Sequence, residues 1–240
     1  MKQKVSDYIA EYIAQWGIRD VFTVTGGGAM HMNDAFGHHK MLHCTYQHHE
    51  QACAMAAEAY ARLGNKMAAV CVTTGPGATN AITGVLGAWM DSIPMLVFSG
   101  QARYATTVSA SGLPLRSMGV QECNIVPVVK SLTKYAHMIV HPENIRYHLE
   151  KALYLAVNGR PGPVWLDIPL DVQGAVIETD DLKAYDPEEN PEQKPREIKD
   201  ETVEQILDKL QESKRPVLSP GNGVRLAGAH EGFYQHAELL

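Results

Sequence analysis

Three runs of this chain, MAAVCVTT, PMLVFSG and PVWLDIP, are apolar at nearly every position rather than at alternate ones. A strand with that pattern is buried on both faces, which is the situation in a parallel sheet with helices on each side. Between and before these runs the apolar spacing switches to that of helices, so the elements alternate. The order reads as a helix at about 3–16, a strand at DVFTVT, a glycine loop at GGGAM with a short helix, and a strand at LHCTY. An alanine-rich helix at about 49–63 follows, stopped by Gly64-Asn65; then come MAAVCVTT, the turn GPGATN and a helix through ITGVLGAWM. PMLVFSG, an irregular segment, a helix after Pro142 and PVWLDIP complete the series. The fold class is α/β, a parallel sheet flanked by helices on both faces.

Residues 179–196 have a different character, acidic, proline-containing and poor in large aliphatics, and read as an extended, solvent-exposed linker. The folded domain accordingly spans 1–178. Residues 197–240 open a second α/β unit with a helix, a strand-like RPVLSPG, a glycine loop and a final helix at GFYQHAELL. Some forty residues cannot readily bury a core alone, so this piece is expected to be the beginning of an incomplete domain.

A net charge of −6 without a basic run excludes a nucleic-acid or anionic-membrane surface. No apolar stretch is long enough for a transmembrane helix, and the acids within MKQKVSDYIAEYIAQWG make it an amphipathic helix rather than a signal peptide. The four cysteines form no C-x-x-C pair and read as buried, reduced thiols of a cytoplasmic protein. Neither they nor the eleven scattered histidines offer metal-ligand spacing.

Two strand-to-helix turns carry candidate chemistry. Gly26-Gly27-Gly28 follows the first strand and Gly75-Pro76-Gly77-Ala78-Thr79-Asn80 follows MAAVCVTT. Such turns bring backbone N–H groups to the carboxyl edge of a parallel sheet, where ligands bind. Neither is a dinucleotide fingerprint: His31 and Asn80 stand where the third glycine belongs, and no acid ends the strand LHCTY. Tight turns and a cofactor cradle remain equal readings.

Glu50 is more informative. In the helix EQACAMAAEAYAR it shares a stripe with Cys53, Ala54, Ala57 and Ala61, a small apolar face that should press against protein. An acid at a helix N-terminus is ordinarily there for the dipole. One held against an apolar face also has its charged form disfavoured and can share a proton with a ligand's ring nitrogen.

HHEQACAMAAEAYAR, VTTGPGATNAITGVLGAWMDSIPMLVFSGQ, QECN and GRPGPVWLDIPLD together resemble the thiamine diphosphate (ThDP) enzymes of the acetohydroxyacid (acetolactate) synthase type. The motifs occur in the family's order over nearly the whole chain. The resemblance implies a flavodoxin-like pyrimidine-binding domain at 1–178 and the start of a central domain from about 197. It implies that Glu50 hydrogen-bonds N1′ of the aminopyrimidine, whose imino nitrogen then deprotonates thiazolium C2 for attack on a 2-ketoacid such as pyruvate. Gly26 and Gly27 match the turn near the substrate, and Gly75, Pro76, Gly77 and Asn80 the turn beside the pyrimidine. Gln121 matches an active-site glutamine, and His49 the histidine before the glutamate. Arg160 matches an arginine that contacts FAD in flavin-containing members, and is equally a turn residue of NGRPGP.

Gly119-Val120 and Asn124 depart from the family's substrate-side segment, which implies a reshaped acceptor pocket. Gly-Asp-Gly, the family's Mg²⁺ and diphosphate motif, is absent, so those ligands are expected outside this chain. A homodimer or homotetramer is implied, because the family builds each site from two subunits. The chain is therefore expected to be the N-terminal part of a ThDP carboligase or decarboxylase, inactive alone. Its alternatives are a non-catalytic pyrimidine-domain remnant that dimerises with or regulates a full-length relative, and a nucleotide-binding α/β protein.

Overall fold

The computed structural model describes residues 1–194 and 197–239, which divide into two units, Met1–Gln193 and Lys194–Leu240. The strands are β1 (Lys2–Lys4), β2 (Asp20–Thr23), β3 (His43–Tyr46), β4 (Ala69–Val72), β5 (Met95–Gln101), β6 (Tyr135–Met138), β7 (Pro163–Pro169) and β8 (Val176–Glu178). The helices of the first unit are α1 (Val5–Trp16), α2 (Met30–His38), α3 (Glu50–Gly64), α4 (Pro76–Asn80), α5 (Ile82–Met90), α6 (Val108–Ser111), α7 (Ile125–Val129), α8 (Ile145–Val157) and α9 (Leu170–Gly174).

Six strands form one sheet in the order β3-β2-β4-β5-β7-β6, every pair parallel. The continuous apolar runs are explained by two cores, one per face. Ala69 and Cys71 of β4, Leu96 and Phe98 of β5, and Leu166 of β7 join the helices α1, α2 and α8. Val70 and Val72, Met95 and Val97, and Trp165 point the other way, against α3, α5 and α7. Period-two alternation thus serves two buried faces rather than one buried and one wet. The alanine stripe is part of this packing: Cys53, Ala54, Ala57 and Ala61 are buried, with Ala54 against Gly84 of α5.

β1 pairs antiparallel with β8, a two-stranded sheet that closes the N-terminus onto the end of the unit. Neither strand was expected, since three residues with at most one buried side chain carry no readable period. β6 was read as part of an irregular stretch; its four residues are all half-buried, as befits an edge strand without an apolar run.

The expected linker is mostly exposed but is anchored rather than free as far as Gln193. Leu182 and Tyr185 are buried, the Tyr185 ring packs on Tyr147 and Tyr154 of α8, and its N–H donates to Glu150 at 2.7 Å. Lys134 donates to Gln193 Oε1 at 2.9 Å further along. Two large side chains are enough to seat this polar strap, because α8 presents an aromatic surface to it. Residues 195 and 196 of the expected linker lie outside the described residues.

The second unit holds α10 (Asp200–Glu212), α11 (Asn222–Leu226) and α12 (His230–Leu239). None of its described residues is buried, and Val203, Ile206 and Leu207 form an exposed apolar stripe on α10. RPVLSPG, expected as a strand, pairs with nothing among the described residues; a strand exists only with a partner to bond. No described helix is long and apolar enough to cross a membrane.

Candidate functional site

The chain passes from β2 outward to β3, then returns to place β4 on the other side of β2. The gap between β2 and β4 is the topological switch point, where open α/β sheets bind ligands at the carboxyl ends of their strands. Both glycine turns lie there. Gly26 follows β2 and Gly75 follows β4, and the two meet through Thr73. The Gly28 N–H donates to Thr73 Oγ1 at 3.0 Å, and a Cβ at either Gly26 or Gly77 would run into the Thr73 side chain.

Two further side chains hold the first turn. Asn33 accepts from Gly26 N at 3.3 Å while donating to Thr23 at 3.1 Å. Fully buried Gln173 donates to the Gly28 carbonyl at 2.7 Å. Gly27 itself is exposed, with open space where a Cβ would be. In the second turn Gly75 has φ 58°, a left-handed conformation, and a Cβ there would collide with the Gln121 carbonyl. Pro76 is the first residue of α4, where its missing N–H costs no hydrogen bond.

Glu50 is the first residue of α3, and His49 caps that helix by accepting from Gln51 N at 3.1 Å. The carboxylate reaches across to the second turn. Asn80, the last residue of α4, donates to Glu50 Oε2 at 3.0 Å. Glu50 Oε1 lies 3.3 Å from where a Cβ on Gly77 would stand and has no hydrogen-bond partner among the described residues. The dry apolar crevice expected around this acid is not what surrounds it. Glu50 is half-buried, because the packed stripe begins a turn later at Cys53 while the first turn of α3 faces the open edge of the sheet. Burial first, and the Glu50 carboxylate second, push the Cys53 thiol up to about 12, so it is inert below the site.

Gln121 is brought to the same place by its backbone, in a left-handed conformation at φ 55° with its carbonyl against Gly75; the residue is exposed. Arg160 is not brought there. It precedes β7 at the opposite, amino edge of the sheet, where its Nε donates to Ser92 Oγ at 2.7 Å. It lines a pocket of about 350 Å³ with Trp89, Met90, Lys134, Glu192 and Gln193. Burial lowers the Lys134 ammonium there to about 8.

Residue-by-residue reading passed over Thr73, Asn33 and Gln173, and also a buried chain beside the site. Asp167 of β7 is fully buried; Ser99 donates to its Oδ1 at 2.6 Å and Gln101 to its Oδ2 at 3.1 Å. Burial pushes Asp167 up to about 7, with those two hydrogen bonds opposing the rise. An acid inside the apolar run PVWLDIP was the visible signal. Among the described residues no cluster of His, Cys, Asp and Glu could hold a metal, and the four cysteines are free.

The family model described as thiamine pyrophosphate enzyme, N-terminal TPP binding domain, matches residues 3–122, and the chain belongs to that family. Among curated relatives it is 33% identical to the acetolactate synthase large subunit of Lactococcus lactis subsp. lactis, over 97% of this chain and 39% of that protein. It is 35% identical to the chloroplastic acetolactate synthase 2 of Zea mays, over 94% of this chain and 34% of that protein. The chloroplastic acetolactate synthase of Arabidopsis thaliana is 34% identical over 92% of the chain, which spans 32% of it. The chain thus spans between 32% and 39% of the length of these relatives.

Proposed function

We propose that this chain supplies the pyrimidine half of a ThDP site in an acetolactate synthase-like carboligase acting on 2-ketoacids such as pyruvate. The observation that carries the reading is Glu50, set against the Gly75–Asn80 turn with Oε2 held by Asn80 and Oε1 free. That free oxygen suits a protonated ring nitrogen, and Gly77 puts no side chain beside it. When bound, ThDP supplies a carbon nucleophile made by proton loss from its thiazolium ring. The chain's own part is to hold the aminopyrimidine at Glu50, to take and return its N1′ proton, and to keep the ring against the Gly75–Gly77 turn. A carboxylate accepting a charge-assisted hydrogen bond is suited to that exchange.

The names of the relatives support the substrate class. Mg²⁺ and the diphosphate are held by residues outside this chain, and a second copy completes the site in a homodimer or homotetramer. Gly119, Val120 and Asn124 bound an acceptor pocket of changed shape. Arg160 is the single residue that speaks for FAD; its pocket lies at the far edge of the sheet, so a flavin has no step in this reading.

Calorimetry with ThDP and Mg²⁺ tests the proposal on the chain as it stands. Weak binding that disappears in Glu50→Gln, together with no acetolactate formed from pyruvate by the chain alone, is the expected result. Equal binding by both proteins, or tighter binding of a dinucleotide than of ThDP, overturns it and favours a nucleotide-binding protein.

A further inference from the structure

The buried chain of hydrogen bonds at β5 and β7 leads, member by member, to the loop that carries Gln121. Trp165 Nε1 donates to Ser99 Oγ at 2.8 Å, which commits the serine proton to Asp167 Oδ1. Gln101 Oε1 accepts from Ala102 N at 3.0 Å, and this fixes which way its amide faces. Its Nε2 then donates twice, to Asp167 Oδ2 at 3.1 Å and to the Cys123 carbonyl at 2.7 Å. Asp167 receives donors on both oxygens, and Gln101 cannot turn without setting its own oxygen against another acceptor.

The loop at the end of this chain is under constraint. Gln121 is one of three non-glycine residues with positive φ among the described residues, a conformation that persists only where its surroundings enforce it. On its next residue, Glu122 accepts from Val108 N at 2.7 Å, Met118 N at 2.9 Å and Gly119 N at 3.0 Å. On the residue after that, the Cys123 carbonyl is tied to Gln101. The Glu122 bonds are all made within the irregular segment itself. Among the described residues, the Cys123 carbonyl bond is the hydrogen bond that ties this stretch to the centre of the sheet.

We propose that Asp167 is a positioning residue that acts through Gln101, holding the Cys123 carbonyl so that the left-handed Gln121 stays seated on the Gly75 turn. A charged group fully buried in a central strand is costly unless its bonds do something an apolar residue could not. Here it orients the Gln101 side chain, which hydrogen-bonds the sheet to the site loop. The inference rests on the reading of Gln121 as a site residue only for its functional meaning; the tether itself is independent of any cofactor.

The cysteines are built-in probes of the difference between local release and general loosening. Cys123 is half-buried on the loop, whereas Cys53 and Cys71 are fully buried in α3 and β4. Alkylation by iodoacetamide, read by peptide mass mapping, is compared in wild type, Asp167→Val, Gln101→Met and the double variant. Each single change is expected to speed Cys123 labelling by at least about fivefold with Cys53 and Cys71 unchanged, as local opening without global unfolding requires. The double variant should label no faster than the faster single, because both changes cut one chain. Unchanged Cys123 labelling in the single variants, a parallel rise at Cys53 and Cys71, or additive effects would each overturn the proposal. If Asp167→Val does not fold, Asp167→Asn takes its place, and an asparagine that protects Cys123 as well as the carboxylate does also sinks the idea. Loss of the ThDP reading leaves the labelling result standing, so the two failures are told apart.

Discussion

The side-chain amide of Asn80 donates to Glu50 Oε2 at 3.0 Å and so ties the last residue of α4 to the first residue of α3. These residues are thirty positions apart, on the two helices that follow β3 and β4. The bond occupies one carboxylate oxygen and leaves the other facing the Gly77 side of the turn.

On the proposed reading, Asn80→Ala lets the Glu50 carboxylate swing and forfeits its alignment with a bound pyrimidine. A hydrogen bond to a charged group contributes about 1.5–3 kcal/mol, so ThDP affinity should fall roughly tenfold or more. Calorimetry checks this. Affinity equal to wild type removes Asn80 from the site.

Gly75 and Gly27 should respond oppositely to alanine. At Gly75 the left-handed φ and the collision with the Gln121 carbonyl make Gly75→Ala destabilising by at least about 2 kcal/mol, read from urea denaturation. At Gly27, exposed and with free space around a Cβ, alanine should change stability by less than about 0.5 kcal/mol. Comparable losses at both positions would refute this account of the turns.

Asp167 gives stability a pH dependence of unusual sign. Its carboxyl titrates near 7 in the folded chain because burial disfavours the charge, and near the ordinary 3.8 when unfolded. Between those values the folded state holds the extra proton, so this group's contribution is greatest at low pH and is lost as pH rises from about 4 to 7. The loss is on the order of 4 kcal/mol. The stability difference between wild type and Asp167→Asn, measured by denaturation at a series of pH values, should shift against wild type across that window and level off above it. A pH-independent difference contradicts the assignment.

His148 works in the opposite direction. Burial, then the stacked His137 ring 3.9 Å away, then Lys151 lower it to about 4, and it shares a 2.6 Å hydrogen bond with Tyr135. The folded state keeps this ring neutral, so its contribution is present above about 6.5 and is lost as pH falls towards 4. His148→Gln should flatten that part of the acid-side decline in melting temperature. An unchanged acid limb would show that the ring titrates freely.

The α/β class, most strand positions and both glycine turns were legible because each depends on local sequence. A strand covered on both faces must be apolar throughout, and a positive φ such as that of Gly75 favours glycine. Glu50 stood out at the head of its alanine stripe and Gly77 and Asn80 in their turn, the resemblance added their roles, and the structure brings the three together. Other features depended on neighbours distant in sequence. β6 is a strand because β7 offers it an edge, RPVLSPG pairs with no strand, and the strap ending at Gln193 is held by the aromatic surface of α8. The exposure of Glu50 depended on where α3 begins relative to the sheet's edge, which the periodicity of its alanine stripe does not specify.

By itself the amino-acid sequence determined the alternation of elements, the places where the backbone must turn on glycine, and the identity of the acid that faces the turn. Tertiary structure alone decided that β4 returns beside β2, which brings Gly26 and Gly28 against Thr73 at the head of the second turn. It also decided that Asp167, one acid in an apolar run, meets Ser99 and Gln101 on the neighbouring strand. The physical reason is common to both: strand order and register are fixed by burying two faces of a sheet at once, a condition on the whole chain that no single segment carries.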